Sequence, residues 1–384
     1  MSPSSAPTQA VLDELVRSAR GADRPAFDRG VSTRDPSFRD RARLLFTNLS
    51  TLPLAELTLR LQPGAEPLSG SRRDLLGAAA WRQPALATWR LAGESAAAKH
   101  TVWLTFAIDD GRTLLAGTAD RPTGTPVPQP IWWTGPVTAA RDGAVTVLLG
   151  SGQPARAWLR SSRAAVDAVR AALASDAADV SGGWSGNLTV EVPATRRDFE
   201  TVLGADEGSY AAIAAVTLAE GPATSAAVRV VVNPDASRTL APVGVAVVLT
   251  HETVHVATRS VDSPAPTWAV EGFADYVALQ VHPEAVDEAA APLVRQIRQS
   301  GPPRALPANE RFRAGEPDLA VTYAAAWSAC RYVAETYSPA SLGRLYAALD
   351  AGEPLARAAP DQLGVSAARL TADWRRYLRR FAGV

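Results

Sequence analysis

A histidine, a glutamate and a second histidine stand together in the run Thr250-His251-Glu252-Thr253-Val254-His255. The apolar residues before it, Val243 to Leu249, and the absence of a breaker until Ser263 predict a helix. Positions four apart share a helix face, so both imidazoles can reach one ion, and Glu252 can approach a water beside it. Glu271 follows sixteen residues after His255, on a second expected helix from Thr267 to Val281. Two histidines and a carboxylate, with a fourth position left to water, are the donor set of a catalytic rather than a structural zinc site. An HExxH pattern also arises by chance, and the carboxylate on the next helix is what raises this one above accident. Cys330 is the only cysteine, which excludes an internal disulfide and a thiolate cluster and leaves imidazole and carboxylate as ligands.

His251-Glu252-x-x-His255 followed by Trp268-x-x-Glu271-Gly272-x-Ala274-x-Tyr276 resembles the gluzincin clan of zinc peptidases, and within it the bacterial peptidase MA-like group. Tyr323-x-x-Ala326, Tyr332 and Trp374 are similar to later parts of that group, and the resemblance spans Ala157 to Val384. It implies Zn2+ held by His251, His255 and Glu271, Glu252 as general base, and a peptide or protein as substrate. It also implies a hydroxyl from Tyr323 against the oxyanion, and a substrate backbone laid along the strand Val228 to Asn233. The amine-anchoring Gly-x-Met-Glu-Asn motif of aminopeptidases is missing, which favours endopeptidase action.

Each further residue has a plainer reading beside the functional one. Asp275 lies one turn beyond Glu271 on the same face, placed to accept the second ring N–H of a zinc histidine, in the family His251; otherwise it is a surface aspartate. Tyr323 is an oxyanion donor or a core aromatic like its neighbours Tyr332 and Tyr337. His100 and His282 have no second ligand at helical spacing and are expected to be structural or surface groups. Trp268 and Phe273 read as core packing around the two zinc helices.

The elements that must position these residues fall into two expected domains of an α+β fold. Residues 8–155 begin with helical periodicity, Val11, Leu12, Leu15 and Val16, then Phe38, Ala42, Leu45 and Phe46. Strands follow at Ala55 to Leu61, Thr101 to Ile108, Arg112 to Gly117 and Ala144 to Leu149, with Asp110-Gly111 as a hairpin turn. That order resembles the cystatin-like cone shared by nuclear transport factor two. Residues 156–384 carry a helix from Ala157 to Ala174, strands Leu188 to Val192 and Val228 to Val232, and then a helical region. Its expected helices are Val243 to Thr258, Thr267 to Val281, Ala285 to Gln299, Val321 to Thr336, Ser341 to Ala348 and Ser366 to Phe381, with a mostly helical peptidase domain as the result.

Thirty-nine basic residues balance thirty-nine acidic ones without a basic cluster, which sets nucleic-acid binding aside. No apolar run is long enough for a membrane span and Met1 to Gln9 lack a signal-peptide pattern, so a soluble protein is expected. A single cysteine fits the cytoplasm, and it also fits an exported protein whose signal or anchor has been removed. Two rivals to the enzyme reading come from the same residues. Trp89, Trp103, Trp132 and Trp133 in the first domain could line a ligand or partner groove on a catalytically silent zinc protein, or the metal could be purely structural. Intact ligands together with an intact Glu252 argue against both.

Overall fold

Three helices lead the chain: α1 (Ser5–Arg20), α2 (Arg24–Asp28) and α3 (Pro36–Thr51). The third starts where the sequence supplies a cap and a fixed φ. Asp35 accepts from the backbone N–H groups of Ser37 and Phe38, and Pro36 occupies the first turn. After them come β1 (Leu54–Leu61), β2 (Glu66–Pro67), α4 (Gly70–Leu76), β3 (Trp81–Leu91), β4 (Ala98–Asp109) and β5 (Arg112–Gly117). They form an antiparallel sheet in the order β1-β3-β4-β5, with β2 also pairing with β3. The β4–β5 turn has Asp110 at φ 48° and Gly111 at φ 73°, the left-handed pair that a tight hairpin requires. The computed structural model describes residues 5–122, 124, 126–174, 180, 182–221 and 226–384.

A second sheet is made by β6 (Val137–Asp142), β7 (Val145–Gly150), β8 (Leu188–Val192), β9 (Ala215–Glu220) and β10 (Ala227–Val232), in the order β6-β7-β8-β10-β9. Between these strands lie α5 (Ala155–Ala174) and α6 (Arg196–Leu203). The inner pairs β7–β8 and β8–β10 are parallel. Every residue of β7 and β8 is buried, because the sheet is covered on both faces. Val147, Val190 and Val230 pack with Ala165 and Val166 of α5, while Leu148 and Val231 join Trp89, Trp132 and Phe106 in the core of the first sheet.

The strand read as the last of the first domain, β7, is the parallel neighbour of β8, and the first core continues into Phe199, Val202, Ala227 and Val231. The two halves therefore share a core. Their sheets also touch directly through a bridge between Ala97 and Ala226.

The remainder is helical: α7 (Pro234–Ser237), α8 (Pro242–Thr258), α9 (Thr267–Val281), α10 (Val286–Ser300), α11 (Leu319–Thr336), α12 (Pro339–Asp350), α13 (Leu355–Leu363) and α14 (Ala367–Ala382). Together with the two sheets they make an α+β protein. Gly272 sets the spacing of the bundle, since a Cβ there would collide with the Ala326 carbonyl oxygen, so α9 and α11 approach backbone to backbone. That approach brings Glu271 to the cavity that Tyr323 also lines. Among the described residues no helix is long and apolar enough to cross a membrane.

Candidate metal centre

The helix α8 places His251 and His255 one turn apart with their Nε2 atoms 2.9 Å from each other. The Oε2 atom of Glu271, on α9, lies 3.2 Å from the first and 3.4 Å from the second. Bonds of 2.0–2.1 Å to a tetrahedral zinc would separate neighbouring ligand atoms by about 3.3 Å, so the three donors fit the edges of such a site. A His251, His255 and Glu271 group able to hold a metal ion is thus present.

Both imidazoles are held from behind. His251 Nδ1 is 2.7 Å from Asp275 Oδ1, and His255 Nδ1 is 2.7 Å from Ser260 Oγ. A proton on Nδ1 of His251, shared with Asp275, turns the Nε2 lone pair toward the centre. Ser260 reaches His255 because Arg259 takes a left-handed conformation, φ 50°, and caps α8 by donating to the carbonyls of His255 and Val256. The electrostatics draw positive charge inward. Burial alone would lower the His251 pKa, yet the carboxylates of Asp275, Glu271 and Glu252 hold it well above the usual histidine value. Burial would raise Glu271, and the two imidazoles instead hold it below the ordinary carboxylate range.

Glu252 points into the cavity that contains the donor atoms, a space of about 530 Å³ also lined by Ile213, Thr217, Phe312 and Tyr323. The Thr217 hydroxyl donates to Glu252 Oε2 at 2.6 Å. Tyr323 stands over His251, ring centroids 6.4 Å apart, with Phe312 against its edge. Its hydroxyl is pushed up by burial and by the charges of Glu271, Asp275 and Glu252, so it keeps its proton. All six residues read from the sequence as ligand, base, histidine partner or oxyanion donor therefore meet in one place.

Other expectations need correction or settle into the plainer reading. The strand Val228 to Asn233 is not an edge, since β10 pairs with β8 on one side and β9 on the other. The edge strand beside the site is β9, which brings Thr217 to Glu252. His282 contacts Thr250 Oγ1 at 3.1 Å and takes no part in the ligand group. Trp268 and Phe273 are buried in the helical core. Trp89 and Trp132 are fully buried and pack edge to face at 6.1 Å, so they stabilise the first core and line no groove. Thr217 and Ser260 escape a sequence reading because a threonine 35 residues before its partner, and a serine brought round by a non-glycine left-handed residue, carry no spacing signal.

Chemistry of a different kind surrounds Arg229 of β10, which is entirely buried. Its guanidinium meets Glu94 through Nε at 2.9 Å and Nη2 at 2.8 Å, Glu191 at 3.2 Å and Glu220 at 2.5 Å. The Trp89 ring lies 3.8 Å from it. One cation among three carboxylates leaves excess negative charge. Burial together with the neighbouring carboxylates pushes Glu191 up and Glu220 up to about 7. His100, also in this cluster, is pushed down to about 3 by burial and by Arg229, and is neutral.

Compared with known proteins, the chain matches no family model and no curated protein.

Proposed function

We propose that this chain is a zinc-dependent peptidase of the gluzincin type, acting on internal bonds of a peptide or protein substrate. The observation that carries the reading is convergence: three donor atoms within 4.8 Å of one another, from two helices, beside a glutamate that is not one of them. Bound by His251, His255 and Glu271, a zinc ion would supply a Lewis acid that acidifies water and polarises a peptide carbonyl. Glu252, 7 % exposed and adjacent to His251, takes the proton from the attacking water and delivers it to the leaving amine. Thr217 occupies one oxygen of that carboxylate, which fixes its orientation and leaves the other to the reacting proton. Tyr323, protonated and facing the same cavity, donates to the oxyanion. Strand β9 has no pairing partner on its outer side among the described residues, which suits an extended substrate adding to it.

A catalytically silent binding protein built on the first domain's tryptophans has less support, because two of the four are sealed in its core. The experiment is metal analysis and proteolysis of the parent beside Glu252→Gln. Both proteins should hold about one zinc per chain, since Glu252 is not a ligand. Hydrolysis of an unfolded protein should fall by about 100- to 10,000-fold in the variant, the range of a lost general base. Equal, substantial activity in both would move the chemistry away from this helix.

A further inference from the structure

A cavity of about 600 Å³ lies between α3, the loop after β5, the short helix Ile131–Trp133 and α6, and it shares no wall with the cavity of the metal centre. Arg41 reaches it from the margin of the buried stripe of α3. Phe38 stands three residues before Arg41 and Leu45 four after, and both are buried. The arginine stem therefore follows apolar surface, and the guanidinium lies 5.5 Å from the Trp133 ring centre with Nη2 donating to the Trp133 carbonyl. That segment does not depend on the arginine. Asn48, two turns further along α3, already pins it by donating to the carbonyls of Trp132 and Gly135 at 2.8 Å each and accepting from the Val137 N–H.

Arg41 is half-buried and, among the described residues, has no carboxylate partner. Arg72, in the same cavity, is the contrast: Asp35 meets it at 2.7 Å, and Asp120 at 2.7 and 2.9 Å. Burial pushes the Arg41 pKa down with nothing opposing it, whereas Asp120 and Asp35 push that of Arg72 up. Taking a cation out of water without an anion is costly. A guanidinium carries five N–H groups in one plane, of which the Trp133 carbonyl occupies one, so Arg41 retains the paired donors that grip a carboxylate.

The surroundings restrict the anion. Arg72 between two aspartates leaves one surplus negative charge, which opposes a dianion. Asp35 is six residues from Arg41, about 9 Å along the helix axis, so a single negative charge at Arg41 stands clear of it. The hydroxyls of Thr134 and Thr201 spend their hydrogens on the carbonyls of Ile131 and Arg197, and offer none to the several oxygens of a phosphate. We propose that this cavity binds a small organic monocarboxylate, its carboxylate paired with Arg41 and its carbon body filling the space beside Trp133. The volume is within the range that encloses such molecules.

The test is calorimetric titration of the full chain with phenylacetate, which should occupy one site per chain with a Kd of about 1 mM or tighter. Phenylacetamide, of the same shape without the charge, and inorganic phosphate should each bind at least about tenfold more weakly. Arg41→Gln should weaken phenylacetate by at least about tenfold at an unchanged melting temperature. Thr118→Trp, at a half-buried position in the loop after β5, fills the cavity and should weaken it as much, and it decides the matter if Arg41→Gln does not fold. A carboxylate also coordinates zinc, so the titrations are repeated after dialysis against a chelator, with the affinity expected to be unchanged. Acetyl-phenylalanine carries the same group as a peptide C-terminus; binding of either acid upholds the proposal, and the tighter of the two names the source. No saturable binding of either acid by about 10 mM, equal binding of the amide, affinity that survives both variants, or affinity that disappears with the metal overturns it.

Discussion

The metal centre and the Arg229 cluster are built from the same few side-chain types and are joined by one strand. Thr217 and Glu220 lie three apart on β9 and so face opposite sides of the sheet, the first toward Glu252 of α8 and the second toward Arg229. At the candidate metal centre the side-chain atoms of His251, His255 and Glu271 converge and open onto a cavity, where they could hold an ion. Around Arg229 the charges are spent on one another between two sheets, with an indole closing the face. Perturbed carboxylates and a perturbed histidine occur in both regions, and of the two only the first opens onto a cavity. A shifted pKa by itself does not distinguish catalysis from architecture.

The comparison breaks most visibly at Arg229. Arg229→Met should cost about 3–5 kcal/mol of stability in urea unfolding, because it leaves buried carboxylates without their cation. The fraction that remains folded should still hold zinc. Little loss of stability would mean that the cluster is not an architectural clasp. Glu220 sharpens the point through pH. Its folded pKa of about 7 lies above its ordinary value of 4.5, so the folded state holds the proton more tightly. The stability this contributes is complete below pH 4.5 and is lost as pH rises toward 7. Thermal melts at pH 5 and pH 8 should therefore show a larger fall in the parent than in Glu220→Gln, whose amide cannot ionise. Identical slopes would contradict the raised value.

Smaller effects belong to the open site and are read in metal affinity. Asp275→Ala should weaken zinc binding by about 10- to 100-fold in a chelator competition while the melting temperature of the apo-protein changes little. Ser260→Ala removes a neutral partner instead of a charged one, and should weaken affinity by no more than about tenfold. If Ser260→Ala proved the more damaging of the two, the ranking of the histidine partners by charge would be wrong.

Much of this was legible in the chain, and the boundary of legibility has a physical cause. The helix pattern gave α8, α9, α11 and α14 to within about two residues. It also gave the facing of His251 with His255 and of Glu271 with Asp275, since a 3.6-residue repeat decides those by itself. It did not give β3, whose burial alternates but whose residue types do not, since Gln83 lies on the buried face, Leu86 on the less buried one and Pro84 interrupts the run. Nor did it give the sheet to which β7 belongs, for a related reason: a strand buried on both faces reads only as an apolar run and does not say which sheet it joins.

Sequence alone thus determined that His251, Glu252 and His255 share one helix and Glu271 and Asp275 the next, because those relations are local to single helices and a short connection. Only the tertiary structure decided that β9 and not β10 is the edge beside the site, that Thr217 holds Glu252, and that Glu94 crosses 135 residues to grasp Arg229. In β10 the alternation that puts Val228, Val230 and Val232 on one side suggests water for Arg229 on the other. The second face is instead covered by the first sheet, and whether a face meets solvent or protein is fixed by packing between distant segments, which no local periodicity records.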